Sequence, residues 1–319
     1  MDDKVLIANY ELNDYKYCGF WEGRRYEHES EVMLLKKLFS RFVKNFSDKR
    51  IIDIGGAYGR LADLYASDAK ETILADYSTH ELQDGISNLK NQPFFSKISY
   101  LALNAYKMPL RENSIDVALS VRVMHHLKDT KNFFGELNRV MVPGGVAIIE
   151  FANNCHILNR VKRLLKSGKQ SDVTEVSHKV DAQGIKENQV SVMYNFSPSF
   201  IKKTAIDTGF SVLGTFTCSF LRLGFIKRIV PLSVLLFIES LLQSLFASTM
   251  LTPSIFIVMQ KISDEKVDGA NDEVLCCPIC TAPVTGEKGL LTCVNKHTFP
   301  QDSEMIIDLR DPRPEEINY

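Results

Sequence analysis

The sequence predicts an α/β fold: a mostly parallel sheet with helices on both faces, followed by a small second unit. Three observations carry this. Apolar runs of strand length, IIDI from residue 51, TILAD from 72, ISYLAL from 98, IDVALSV from 115 and GVAIIEF from 145, alternate with helix-compatible stretches such as YGRLADLYA and TKNFFGELNRVM. Strands that are apolar on both faces are buried on both, and their alternation with helices calls for crossover connections between parallel neighbours. A glycine-rich turn follows the first run, and four of the seven cysteines crowd together at positions 276, 277, 280 and 293.

The length of 319 residues corresponds to about two domains. A chain 45% apolar and 24% charged has ordinary globular composition, which excludes disorder and fibrous repeats. With 38 basic and 39 acidic side chains the formal charge is −1, so no global field favours a nucleic-acid backbone. Acids at Asp2 and Asp3, with neither a basic nor an apolar leader, predict a cytoplasmic protein. Scattered Cys18, Cys155 and Cys218 read as reduced thiols.

Taken in order, residues 1–46 form an aromatic lead-in and one amphipathic helix, EVMLLKKLFSRFVKNF, with Ser30 placed to cap it. After Phe151 the strand and helix rhythm breaks, and residues from about 152 to 196 read as a functional insertion. Alternation resumes with SPSFIKKTAIDTG, FSVLGTFTCSF and PSIFIVMQK, separated by an apolar helix over about 228–249. An acidic, glycine-containing linker at 262–273 divides a domain at 1–261 from a module at 274–319.

IIDIGGAYGRL places Asp53 at a strand end and Gly55, Gly56, Ala57 and Gly59 in the turn after it, directly before a predicted helix. Small residues there admit a ligand close to the backbone, and a helix N-terminus favours an anionic group. The spacing D-x-G-x-A-x-G departs from the G-x-G-x-x-G of dinucleotide folds. It resembles motif I of the class I S-adenosylmethionine-dependent methyltransferases, with Ala57 where that family more often has glycine. Further matches follow in order. TILADYS ends a second strand at Asp76 and Tyr77, the position whose carboxylate in the family accepts from the ribose hydroxyls. Asn104 and Ala105 match the positions beside the adenine, and Val121 through His125 match the strand end facing the methyl group. ELNRVMVPGGVAIIE resembles the family's helix, turn and fifth strand. The resemblance implies a Rossmann-like sheet of seven strands, the last antiparallel, S-adenosyl-L-methionine as cofactor, and methyl transfer as the activity.

Trp21, Arg25 and Tyr26, in the lead-in, predict a flap over that cofactor, with an arginine pairing its carboxylate and the aromatics excluding water. In-line methyl transfer draws on alignment and at most one general base, and His125, just past the fourth strand, is the candidate. The alternative role for His125 is a structural hydrogen bond. Arg160, Lys162, Arg163, Lys166 and Lys169 make a basic stripe suited to phosphate or to a solvated face, and His178, Asp181 and Tyr194 follow it. RIVPLSVLLFIESLLQSLFASTML is interrupted by Pro231, Glu239 and Gln243, which argues against a membrane span. It suits peripheral membrane contact, an apolar pocket, a homodimer face or core packing.

Cys277-x2-Cys280, twelve intervening residues and Cys293-x3-His297 have the spacing of a tetrahedral Zn²⁺ site, and four protein ligands make it structural. Cys276 is the alternative ligand. The module resembles that of bacterial 23S rRNA guanine methyltransferases and, more loosely, zinc-ribbon partners of methyltransferases. The reading as a whole is a methyltransferase acting on a small-molecule or lipid-like acceptor. Its alternatives are an RNA methyltransferase that uses the zinc module for substrate, and a non-catalytic binding protein of the same fold.

Overall fold

The structure is a computed structural model and describes residues 17–166, 171–179, 190–262, 274–287, 289–303 and 305–311. Its frame is an eight-stranded sheet built from β1 (Arg50–Ile54), β2 (Glu71–Asp76), β3 (Ile98–Ala102), β4 (Ile115–Ser120), β5 (Met141–Ala152), β8 (Phe210–Cys218), β9 (Ser254–Lys261) and β13 (Ile306–Asp308). Between β5 and β8 in the chain lies the hairpin of β6 (Val173–Lys179) and β7 (Val190–Phe196), and before β13 lies the small sheet of β10 (Val284–Glu287), β11 (Leu290–Cys293) and β12 (Thr298–Pro300).

The large sheet runs β13-β3-β2-β1-β4-β5-β9-β8, so the strand order reverses direction between β1 and β4. β9 is antiparallel to both of its neighbours, β5 and β8. The expectation of seven strands is corrected to eight: β13, from the C-terminal module, pairs parallel with β3 through Ile306–Tyr100, Ile307–Leu101 and Asp308–Ala102. β1 is buried along its whole length, as its continuous apolar run requires, and Ile51 and Ile52 are fully buried on opposite faces.

Among the described residues eight helices accompany the sheets: α1 (Tyr17–Phe20), α2 (Arg25–Phe42), α3 (Thr79–Leu89), α4 (Thr130–Val140), α5 (Ile157–Lys166), α6 (Pro198–Asp207), α7 (Gly224–Ile229) and α8 (Leu232–Leu245). Side-chain caps start three of them, from Ser78 to Glu81 N, Asp129 to Asn132 N and Ser197 to Phe200 N. Ser30 caps nothing. The first long helix begins earlier, at Arg25, and Ser30 is buried inside it with its hydroxyl on the Glu27 carbonyl and the Ser219 hydroxyl. The apolar segment from 228 is two helices, because Pro231 lacks the N–H that would continue α7.

The C-terminal module is seated on the main domain. Cys276 N donates to the Pro109 carbonyl, Arg111 N to Val274, and Leu309 N to Ala102. Val274, Cys277, Cys293, Phe299 and Leu309 belong to the same apolar core as Ile52, Phe134 and Ile257. The expectation of a unit standing apart is corrected accordingly, while most of the expected linker, residues 263–273, lies outside the described residues. Asp181 and Lys169 lie outside them as well.

Candidate functional site

The turn after β1 is shaped by two residues in the left-handed region, Gly55 at φ 73° and Ala57 at φ 46°. A Cβ on Gly55 would stand 2.1 Å from Val123 Cγ2, so this position requires glycine for space as well as conformation. Gly55 N and Gly56 N both donate to the Ala75 carbonyl at 2.7 and 3.0 Å, which locks the turn to the end of β2. The helix expected directly after the turn is absent. Ala57 and Gly59, at φ 46° and 75°, break the helical backbone, and the chain continues in turns with a short 3₁₀ segment at Ala62–Leu64. The helix N-terminus expected to favour an anion is therefore not present.

Asp76 ends β2 with both carboxylate oxygens held: Ala57 N donates to Oδ2 at 3.0 Å and Ser78 N to Oδ1 at 2.9 Å. Two backbone donors fix its orientation toward a cavity at the C-terminal ends of β1, β2, β3 and β4. That cavity is lined by Gly55, Ala57, Asp76, Tyr77, Asn104 and Ala105 from the expected set, together with Tyr17, Glu81, Tyr106, Arg122 and His126. A smaller adjoining cavity is lined by Asp53, Gly56 and Val121 along with Gly55, Ala57 and Arg60. The crevice sits beside β1 and β4, where the strand order reverses, as open α/β sheets place their ligands.

Four expected residues lie elsewhere. Gly59 backs onto Leu89 and Leu74 and makes room for packing. Arg25 is exposed and faces Glu29. Tyr26 is buried away from the cavity, with its hydroxyl donating to Glu239 Oε2 at 2.5 Å and accepting from Leu221 N at 2.9 Å. Trp21 lies under the Arg60 guanidinium, 3.7 Å from the ring centroid, behind the cavity wall. The lead-in reaches the site through Tyr17, which lines both cavities and whose backbone N–H donates to Glu81 Oε1 at 3.0 Å.

Behind the wall is a charge cluster that sequence reasoning missed. Glu31, fully buried on α2, takes Arg60 Nη2 at 2.9 Å on one oxygen and the Arg122 guanidinium on the other. Burial alone would raise the Glu31 carboxyl, but Arg122 and Arg60 hold it below the ordinary carboxylate range. Arg122 itself stands at φ 67°, with its N–H on Glu150 Oε2 at 3.1 Å. The one legible signal was Arg60 directly after Gly59 in the turn.

His126, not the expected His125, lines the cavity, and the two rings lie 4.0 Å apart centroid to centroid. Burial pushes His126 down to about 4, so its imidazole is neutral at physiological pH.

At the far end of the cavity the C-terminal arm closes on Asn104 and Tyr77, two of the residues expected beside the nucleoside. Asn104 Nδ2 donates to the Asp311 carbonyl at 2.9 Å, Lys107 Nζ pairs with Asp311 Oδ2 at 2.7 Å, and Arg310 donates to the Tyr77 carbonyl at 3.1 Å. Arg310 is itself fixed by Asp308, Nε to Oδ1 at 2.9 Å.

A second constellation lies in the module. The donor atoms of Cys277, Cys280, Cys293 and His297 all fall within 4.8 Å of one another. Cys277 Sγ and Cys293 Sγ lie 3.5 and 3.4 Å from His297 Nδ1, and Cys280 Sγ lies 3.7 Å from Cys293 Sγ. Tetrahedral ligation with Zn–S near 2.3 Å puts sulfurs about 3.8 Å apart, so this donor set has the edges that a zinc ion needs. Cys276 is excluded from the cluster because its backbone is tied to Pro109 and its bridge partner is Pro283.

Comparison with known proteins agrees with this geometry. Residues 52–149 match a family model described as a methyltransferase domain. The ubiquinone/menaquinone biosynthesis C-methyltransferase UbiE of Shewanella baltica is 24% identical over 197 residues, 58% of this chain and 78% of that protein. Its counterpart from Shewanella oneidensis is 23% identical over the same length and shares. Among solved structures, a putative S-adenosylmethionine-dependent methyltransferase from Listeria monocytogenes superimposes with TM-score 0.51 at 11% identity, covering 74% of this chain and all of that one. The PH0226 protein from Pyrococcus horikoshii gives TM-score 0.50 at 15% identity, covering 74% and 91%. The match over β1 to β5 supports a methyltransferase domain, and the two structures show a Rossmann-like methyltransferase fold.

Proposed function

We propose that the protein is an S-adenosylmethionine-dependent methyltransferase acting on a small, lipid-like acceptor. The observation that carries this is the convergence of the Gly55–Ala57 turn, the doubly anchored Asp76 carboxylate and Asn104 on one crevice at the strand-order reversal. The residues fit the cofactor: a close backbone approach at Gly55, an acceptor at Asp76 for paired hydroxyls, and a largely apolar wall of Ile54, Leu103, Ala105 and Leu127. When bound there, the cofactor supplies an electrophilic methyl group. Tyr17 covers the crevice and excludes water, and Arg122, held by Glu31, fixes the wall on the far side of Gly55 and Ala57. In this reading the general base is His126, which lines the cavity and is neutral, in place of the expected His125, which does not line it. The curated relatives, named for C-methylation in quinone biosynthesis, support the acceptor class.

The Cys277, Cys280, Cys293 and His297 cluster holds a zinc ion in this reading, and with four protein ligands the ion is structural. The test is radiolabelled methyl transfer from S-adenosylmethionine into lipid extract, polar metabolites and total RNA, compared between the protein and its His126→Ala variant. Label entering the lipid fraction, and falling on the order of 10²-fold in the variant, is the expected result. Label confined to RNA would overturn the acceptor class.

A further inference from the structure

Helix α8 is built inside out. Its two long polar side chains point inward beside Leu235: Glu239 is fully buried and Gln243 is 4% exposed, while Phe237 and Leu245 on the opposite face are 66% and 75% exposed. Val234, Ile238 and Leu241 continue that outer face at helical spacing. A helix of an isolated globular domain shows the reverse arrangement. The inward pair is fully engaged. Glu239 accepts from Tyr26 Oη, Ser219 N and Phe220 N, and Gln243 Nε2 donates to the Ser30 carbonyl and to Glu239 Oε1. These bonds fix the rotation of the helix, so its outward apolar face is set by buried polar partners.

The neighbouring helices carry exposed apolar side chains as well. Phe225 and Ile229 of α7 are exposed, as are Leu158, Val161 and Leu165 of α5. Ile157 N donates to the Leu251 carbonyl at 3.0 Å, which fastens the start of α5 to the chain leaving α8. Charge on this surface has one sign. Between residues 222 and 251 the exposed charge is Arg228; Lys227 is paired with Glu27, and the single acid of the stretch, Glu239, is buried. α5 carries Arg160, Lys162 and Arg163 and no acid.

We propose that α5, α7 and α8 form a docking face for an anionic lipid bilayer, on which the protein lies without spanning. The charge decides between candidate occupants. In a chain of net charge −1, a surface whose exposed charges are all basic complements anionic headgroups. Two copies meeting through it would set like charges against each other. The fourteen residues of α8 extend about 21 Å, short of a hydrocarbon core of about 30 Å, and no described helix is long and apolar enough to cross a membrane. Insertion of Phe237, Leu241 and Leu245 parallel to the surface satisfies both constraints.

This inference deepens the proposed function by supplying the phase that holds a lipid-like acceptor, and it rests on that reading only for its purpose. Its experiment needs neither cofactor nor acceptor, so the two can fail separately.

The experiment is sedimentation of the full-length protein with vesicles of phosphatidylcholine alone and of phosphatidylcholine with phosphatidylglycerol. Binding to the anionic vesicles, weakened by added salt and lowered at least about tenfold by Phe237→Ser with Leu245→Ser, is expected. Both side chains are largely exposed, and unchanged thermal unfolding of the variant verifies its fold. An independent variant, Arg160→Glu with Arg228→Glu, should abolish the preference for anionic lipid. No binding to anionic vesicles, or a dimer in solution that the Phe237→Ser and Leu245→Ser changes dissociate, would overturn the proposal.

Discussion

Asp53 lies fully buried beneath the turn, where Tyr65 Oη donates to its Oδ2 at 2.5 Å. Burial pushes its carboxyl up to about 6 from 3.8, against the opposing pull of Tyr65 and Arg60. Between these two values the folded protein holds a proton that the unfolded chain has released, so the Asp53 contribution to stability falls as pH rises from about 4 to 6. The ionised carboxylate costs on the order of 3 kcal/mol above that window. Asp53→Asn, which can still accept from Tyr65, should therefore unfold at higher denaturant than the parent at pH 7.5, with the gap closing at pH 4. A gap independent of pH would show that Asp53 does not titrate upward. Asp53, Gly55 and Asp76 were legible in the sequence because strand ends and glycine turns are local signals. The Glu31, Arg60 and Arg122 cluster was not, since its members come from α2, the turn after β1 and the end of β4 and meet only in the fold. The flap was placed on Trp21, Arg25 and Tyr26 because aromatic density shows that a segment packs, not which ring faces a cavity.

Among the elements, the C-terminal arm departs most from expectation. Its strand β13 is three residues long, in a stretch whose pattern gave no cue that it would extend a sheet begun two hundred residues earlier. Because Arg310 and Asp311 hold Asn104, Lys107 and Tyr77 and belong to the module that carries Cys277, Cys280, Cys293 and His297, the proposed metal site and the proposed cofactor crevice are tied through one arm. In the proposed reading a metal ion organises the two short loops that carry its ligands, and its loss loosens the module to which the arm belongs. Loosening it by chelation or by Cys280→Ser should then weaken cofactor binding, on the order of tenfold for the loss of one or two buried hydrogen bonds at the crevice. Titration of S-adenosylhomocysteine into metal-replete and metal-stripped protein measures this, and equal affinities would show that the arm stays docked without the ion. The clustering of Cys277, Cys280, Cys293 and His297, by contrast, was legible in their spacing, because the four lie on two short loops.

For the whole molecule, seven of the eight strands of the large sheet and the one antiparallel among them followed from alternation and from the resemblance, while β13 did not, and the turn after β1 did not form the helix that its composition suggested. Left-handed backbone at Ala57 and Gly59 is a tertiary choice, set by closure onto Ala75 and Asp76, and no local propensity announces it. We propose one molecule in which the crevice at the reversal of the sheet binds S-adenosylmethionine, with the C-terminal module and the outward apolar helices around it. Isothermal calorimetry of S-adenosylhomocysteine with metal-replete protein and with Asp76→Ala tests that claim most directly. The account predicts one site per chain and a loss of about 1.5–3 kcal/mol for each charge-assisted hydrogen bond removed with the carboxylate. No heat at millimolar ligand with the folded parent protein, or an unchanged affinity in Asp76→Ala, would contradict it.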